Sequence, residues 1–158
     1  MVVLHGDAGI GKTEGARKFL HDYPHNTVFI TATPTTGSLN CIIKLLARAL
    51  GVPEMRGRMD TMLAIREKLA GTNKVVIIDE AQHLSDSAMA SMLPTPNRAY
   101  NPQTIYMGTP PGPRDNGEAF TRLRDKTRAG RTHSTLYVEF TADRDAYPLD
   151  RDQWRKAN

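Results

Sequence analysis

Cysteine is nearly absent from this 158-residue chain, where Cys41 stands alone. A single cysteine excludes an internal disulfide and any cysteine-based zinc site, and a disulfide-free chain fits a reducing compartment. The thiol falls on an apolar helical pattern, where a buried structural role is expected. Aromatic residues make up only 6% of the chain. No apolar run approaches the ~18 residues of a membrane span. The apolar start, MVVLHG, is broken at once by Gly6 and Asp7, so no signal peptide is expected there. A cytoplasmic location with no membrane partner is therefore expected. Charge of one sign does not dominate either: 21 Lys and Arg face 17 Asp and Glu, for a net charge of +4. Such a balance is compatible with a nucleic-acid partner without pointing to one. What is present, 39% hydrophobic and 24% charged residues, suits one compact domain that buries roughly 70% of its unfolded surface.

Five stretches read as strands: Val2–His5, Thr27–Thr31, Lys74–Asp79, Thr104–Gly108 and Thr135–Phe140. The unbroken run Val75, Val76, Ile77, Ile78 suits a strand covered on both faces, as in a parallel sheet. Helical periodicity lies between the strands. Leu39, Ile42, Ile43, Leu46 and Leu50 recur on one helical face, with Gly51 and Pro53 as a stop. Met59, Met62, Leu63, Ile65 and Leu69 form a second face ending at Gly71, on which the methionines are expected to pack. Further helices are expected over Lys12–Tyr23, Ser85–Leu93, Gly117–Ala129 and Arg151–Ala157. The stretch from Pro94 to Pro113 has the composition of connections around one short strand. Alternation of strands and helices predicts an α/β, three-layer domain with a mainly parallel sheet of about five strands and functional groups at the strands' carboxyl ends.

The most specific signal is GDAGIGKT, from Gly6 through Asp7, Ala8, Gly9, Ile10, Gly11 and Lys12 to Thr13, a full match to G-x-x-x-x-G-K-[ST] between a strand and a helix. Glycines let such a loop turn successive N–H groups inward around phosphate oxygens, and the following helix adds the positive end of its dipole. Lys12 is expected to bridge the β- and γ-phosphates of ATP, and the Thr13 hydroxyl to bind Mg²⁺. A second signal lies some way downstream, where the apolar strand ends in Asp79 and Glu80. Two adjacent carboxylates after a buried strand are costly without a cation. Asp79 is assigned to the Mg²⁺ shell and Glu80 to the general base that activates water.

Beyond these motifs the signals are broader. Gln82 and His83 suit either a γ-phosphate contact or helix capping and packing. Thr109, at the end of the fourth strand, is expected to reach the same phosphate, which makes Glu80, Lys12 and Thr109 the catalytic set. His5, His21, His25 and His133 have no metal-ligand spacing. Arg122, Arg124 and Arg128 follow i, i+2, i+6 and form no clean face; with Arg114 they suit a solvated surface, or a contact to phosphate in cis, across a subunit boundary, or on a nucleic-acid backbone.

Residues 1–84, through VVLHGDAGIGKTEGARKFL, FITATPTTGSLNCIIKLLARALGVP and KVVIIDEAQHL, resemble the phage Mu B-type transposition ATPases of the AAA+ class. That resemblance implies ATP-dependent DNA binding and delivery of target DNA to a transposase, usually as a homo-oligomer. Residues 79–158, beginning with DEAQHLSDSAMASMLP and containing GTPP at Gly108–Pro111, resemble the ATPase portion of phage terminase large subunits. This second resemblance implies a packaging partner and ATP-coupled movement of DNA. The two meet at DEAQHL, so the sequence reads as a composite of P-loop NTPase halves. Neither family's lid, nuclease or separate DNA-binding domain has a counterpart in residues 1–158, which predicts a single truncated ATPase core. A competing expectation is a non-enzymatic protein-binding module that keeps the fold.

Overall fold

The computed structural model describes residues 1–92, 101, 103–112, 115, 117–132, 134–141 and 150–152. Five strands, β1 (Val2–Gly6), β2 (Thr27–Thr31), β3 (Val75–Asp79), β4 (Gln103–Gly108) and β5 (Leu136–Phe140), form one sheet in the order β2-β3-β4-β1-β5. All of its pairings are parallel. The expected α/β class and strand number hold, with strand ends within a residue of those read from the pattern. Expectations for residues 93–100, 102, 113, 114, 116, 133, 142–149 and 153–158 fall outside the described residues, and Arg114, His133 and most of the helix expected over Arg151–Ala157 are among them.

Alternate residues of each strand face opposite sides of the sheet, and the two sides are covered unequally. Val3, Val28, Ile30, Val76, Ile78 and Tyr106 point into the larger core. There they meet α2 (Leu39–Leu50), α3 (Arg58–Leu69), α4 (Asp86–Met92) and α5 (Glu118–Arg128). On the other side Ile77 and Met107 pack on Ala16 of α1 (Lys12–Asp22). Among the described residues α1 is the one helix on that side. A groove of about 450 Å³ remains beside it, lined by Leu4, Phe19, Ile105, Met107 and Phe140.

Local signals explain the helix ends. The Ser38 side chain caps α2 by accepting from the Cys41 N–H, and Gly51 closes it in the left-handed conformation at φ 66°. Buried Ile42, Ile43, Leu46, Ala47 and Leu50 form the face that the periodicity indicated. Cys41 itself is half-buried and free rather than fully enclosed. In α3 the expected apolar face is displaced. Thr61, Ile65 and Leu69 are buried, whereas Met59 and Leu63 are exposed, Met59 by 70%. The threonine wins the inward position because its hydroxyl donates to the Gly57 carbonyl and accepts from the Met55 N–H, both at 3.1 Å, which satisfies a polar group inside.

Candidate functional site

The strand order gathers the site. β4 lies between β1 and β3, so the carboxyl ends of three parallel strands deliver the phosphate loop, Thr109 and the Asp79–Glu80 pair to one crevice. The loop begins where β1 ends. Gly9 and Gly11 have φ of 90° and 86°, a left-handed conformation that side chains resist. Gly11 is the residue before α1, and no side chain caps that helix. Its first-turn N–H groups therefore remain available to an anion.

Lys12 turns its amine back over the loop, donating to the carbonyls of Gly6 at 2.8 Å and Asp7 at 2.7 Å. Burial lowers its pKa, while Glu80, Asp79 and Asp7 pull it back up. The Thr13 hydroxyl donates to Asp79 Oδ2 at 2.9 Å, a contact that spans 66 residues of sequence. Asp79 is only 2% exposed. Its burial raises the carboxyl pKa, with the Thr13 hydrogen bond acting in the opposite direction.

Glu80 departs from the strand abruptly, adopting φ 55° and ψ 42°, an unusual left-handed conformation for a residue with a side chain. It precedes a single 3-10 turn over Ala81–His83, and its carbonyl accepts from the His83 N–H at 3.0 Å. The reversal brings its carboxylate to a cleft of about 240 Å³, shared with Gly9, Gly11, Lys12, Thr13 and Thr109. Local backbone strain of this kind, of order 1–3 kcal/mol, is found where a side chain must be aimed. Every sequence-predicted residue of the catalytic and metal sets thus comes to this cleft or, for Asp79, to a hydrogen bond with one that lines it.

The weaker signals resolve differently. Gln82 is buried and does not line the cleft; its amide joins Glu80 to Thr109. His83 Nδ1 instead lies 2.9 Å from an Asp115 carboxylate oxygen. Arg122 pairs with Asp86, and Arg124 and Arg128 reach Glu139 at 2.7 and 3.4 Å. Arg124 also donates to the Tyr137 hydroxyl. Arg122 and Arg128 keep exposed side chains, as the solvated-surface expectation has it, while Arg124 is held more deeply against Glu139. Glu139 was not anticipated, and neither was His5, a 2% exposed residue stacked on Phe120 with Nδ1 3.4 Å from Glu139. Burial lowers the His5 pKa, against the pull of Glu139. The only sequence signal for this cluster was polarity at two strand positions, His5 and Glu139, which the β1–β5 register pairs.

A second loop buttresses the acidic segment. Gly37, after β2, accepts from the Ser85 N–H at 3.0 Å, and a Cβ at Gly37 would lie 1.8 Å from the His83 carbonyl oxygen. That oxygen belongs to the backbone and cannot swing aside. Gly37→Ala is expected to destabilise the fold by about 1–3 kcal/mol, the usual cost of overpacking, read as a lower thermal midpoint. An unchanged midpoint would show that the two loops separate freely.

A parallel sheet ending in a phosphate loop, an acidic strand end and a threonine between them defines a nucleotide-binding P-loop protein. Residues 1–115 match the family described as AAA domain, and the chain belongs to that family. The match passes through DEAQHL and takes in residues 79–115 of the terminase-like stretch. Among curated relatives, the chain is 38% identical over 96 residues to "ATP-dependent target DNA activator B" of Escherichia phage Mu, covering 58% of this chain and 30% of the relative. It is 30% identical over 95 residues to "Mu-like prophage FluMu DNA transposition protein B" of Haemophilus influenzae, covering 58% and 32% respectively. The aligned region is therefore about a third of these relatives' length. The ORC2 protein of Aeropyrum pernix, solved in ADPNP and ADP complexes, superposes with a TM-score of 0.51 at 14% identity. It covers 98% of this chain and 45% of that one, a likeness of fold. Among the described residues no helix is long and apolar enough to cross a membrane, and no cluster of three His, Cys, Asp or Glu is poised for a metal.

Proposed function

We infer that the chain is the ATP-binding and ATP-hydrolysing core of a phage transposition protein that works on DNA with a transposase, as a homo-oligomer when active. The observation that carries this reading is the Thr13–Asp79 hydrogen bond, which ties the acidic strand end to a cleft that Thr13 shares with Lys12, Glu80 and Thr109. The printed description of the Mu relative, an ATP-dependent activator of target DNA, supports the biological setting.

The donor set fits Mg²⁺. Thr13 and Asp79 offer oxygen atoms only, and this hard cation is commonly held by one or two carboxylates together with substrate phosphates, without a cage of protein ligands. When bound there, Mg²⁺ supplies positive charge against the β- and γ-phosphate oxygens. Gly6 to Thr13 would bind the phosphates through backbone N–H groups, and Lys12 would exchange its bonds to Gly6 and Asp7 for phosphate oxygens. Glu80 would accept the proton of the attacking water, with Thr109 donating to the γ-phosphate from the neighbouring strand.

The test is a thermal shift with ATP and Mg²⁺, followed by phosphate release with and without duplex DNA. A ligand present at 100 times its Kd should stabilise the fold by about 2.7 kcal/mol. No shift at millimolar ATP would overturn the reading. A packaging motor is the second reading, favoured by one observation: Thr109 of the GTPP segment is linked to Glu80 through Gln82. Stimulation by a transposase, rather than by a packaging partner, separates the two.

A further inference from the structure

We propose that Gln82 is a positioning residue that sets the hydrogen-bond polarity of the cleft, presenting Thr109 as a donor and Glu80 as an acceptor. The inference rests on the ATPase reading above and adds to it a buried residue that does not line the cleft.

The argument begins with the orientation of the amide. The Thr109 N–H donates to Gln82 Oε1 at 3.2 Å. Turned by 180°, the amide would set its NH₂ group against that N–H, two donors facing each other, so the contact fixes which end is oxygen. Nε2 then has two hydrogens to place. One goes to Thr109 Oγ1 at 3.0 Å and the other to Glu80 Oε2. The amide's donors are thereby fully used.

Each bond constrains its partner. A hydroxyl carries one hydrogen, and Thr109 Oγ1 accepts from Gln82, so its own hydrogen must point away from the amide. Thr109 lines the cleft, where an anionic oxygen would receive that hydrogen. Glu80 has one oxygen engaged by the amide and the other left to accept a proton from water. Without Gln82 neither the threonine hydroxyl nor the Glu80 carboxylate would be held in that orientation by the amide.

The surroundings maintain the arrangement. Gln82 is 2% exposed, so water does not compete for these bonds. The left-handed Glu80 and the following 3-10 turn direct Gln82 back towards β4. Gly108 leaves the space it occupies: a Cβ there would stand 2.6 Å from Gln82 Oε1. The link therefore depends on three separate segments, the acidic strand end, the turn and the tip of β4.

Gln82→Met keeps the approximate volume and removes all three bonds. Steady-state turnover should show kcat falling about tenfold or more with KM for ATP within about twofold, because the group acts on the reacting geometry and not on phosphate binding. Thr109→Val should also lower kcat, and the double variant should be no worse than the weaker single variant within about twofold, since both break one link. A readout independent of turnover comes from the free protein. The Gln82 side-chain amide protons should resist solvent exchange by ¹⁵N NMR, and Thr109→Val and Glu80→Ala should each release one of them. A wild-type kcat in Gln82→Met, additive kcat losses in the double variant, or freely exchanging amide protons in the wild type would each overturn the proposal. If the wild type hydrolyses no ATP, the ATPase reading fails while the amide spectrum still decides the link. If Gln82→Met does not fold, the spectra of wild type and Thr109→Val decide it.

Discussion

Glu80→Gln is expected to abolish turnover and leave ATP bound. The glutamine is nearly isosteric, so it can keep the left-handed backbone at φ 55° and the position at the cleft. It cannot take a proton from water. General-base contributions run at about 10²–10⁴-fold, and a loss of that size in phosphate release is the expected result. Nucleotide affinity should change little, because the phosphate loop, Lys12 and the Thr13–Asp79 pair are untouched. Paired measurements of phosphate release and nucleotide-dependent thermal shift test both halves. Near-normal turnover in this variant would move the base elsewhere.

Lys12→Ala should act on binding itself. The amine already spans the two carbonyls at the loop's entrance, within the electrostatic reach of Asp79 and Glu80. Its loss removes charge-assisted bonds to phosphate and leaves two carboxylates to repel the nucleotide. Affinity is expected to fall about 100-fold, or about 2.7 kcal/mol, measured by calorimetric titration with ATP and Mg²⁺. The fold should persist, since the side chain is outside both hydrophobic clusters. Affinity within about threefold of wild type would show that backbone N–H groups alone hold the phosphates.

Much of the architecture was legible because its signals are local. The Val75–Ile78 run, the α2 face and the stop at Gly51 each depend on neighbours within one or two turns. The phosphate loop was equally plain, because its glycine spacing encodes its backbone. Strand order was not legible. Nothing local says that β4 lies between β1 and β3, yet that insertion is why Thr109 stands between the loop and Glu80. Long-range pairings were hidden for the same reason. Arg124 looked solvated because Glu139, its partner at 2.7 Å, lies on a strand whose position depends on the whole sheet. In α3, apolar spacing alone favoured Met59 and Leu63, whereas a satisfied threonine took the inward face. Gln82 could have been singled out only by knowing that the turn after Glu80 points it at β4.

The unequal covering of the sheet bears on how the molecule responds to a ligand. The helix that follows the phosphate loop buries Ala16, whereas α2 on the opposite side buries five side chains. Opening of α1 disturbs little of the larger core, so its local free energy of opening should be the lower of the two. Phosphate held by the loop and first turn of α1 raises that local free energy by mass action. Nucleotide occupancy would then be felt first as a stiffening of the thin layer, while the four-helix side keeps the sheet, and with it Asp79 and Thr109, at constant spacing.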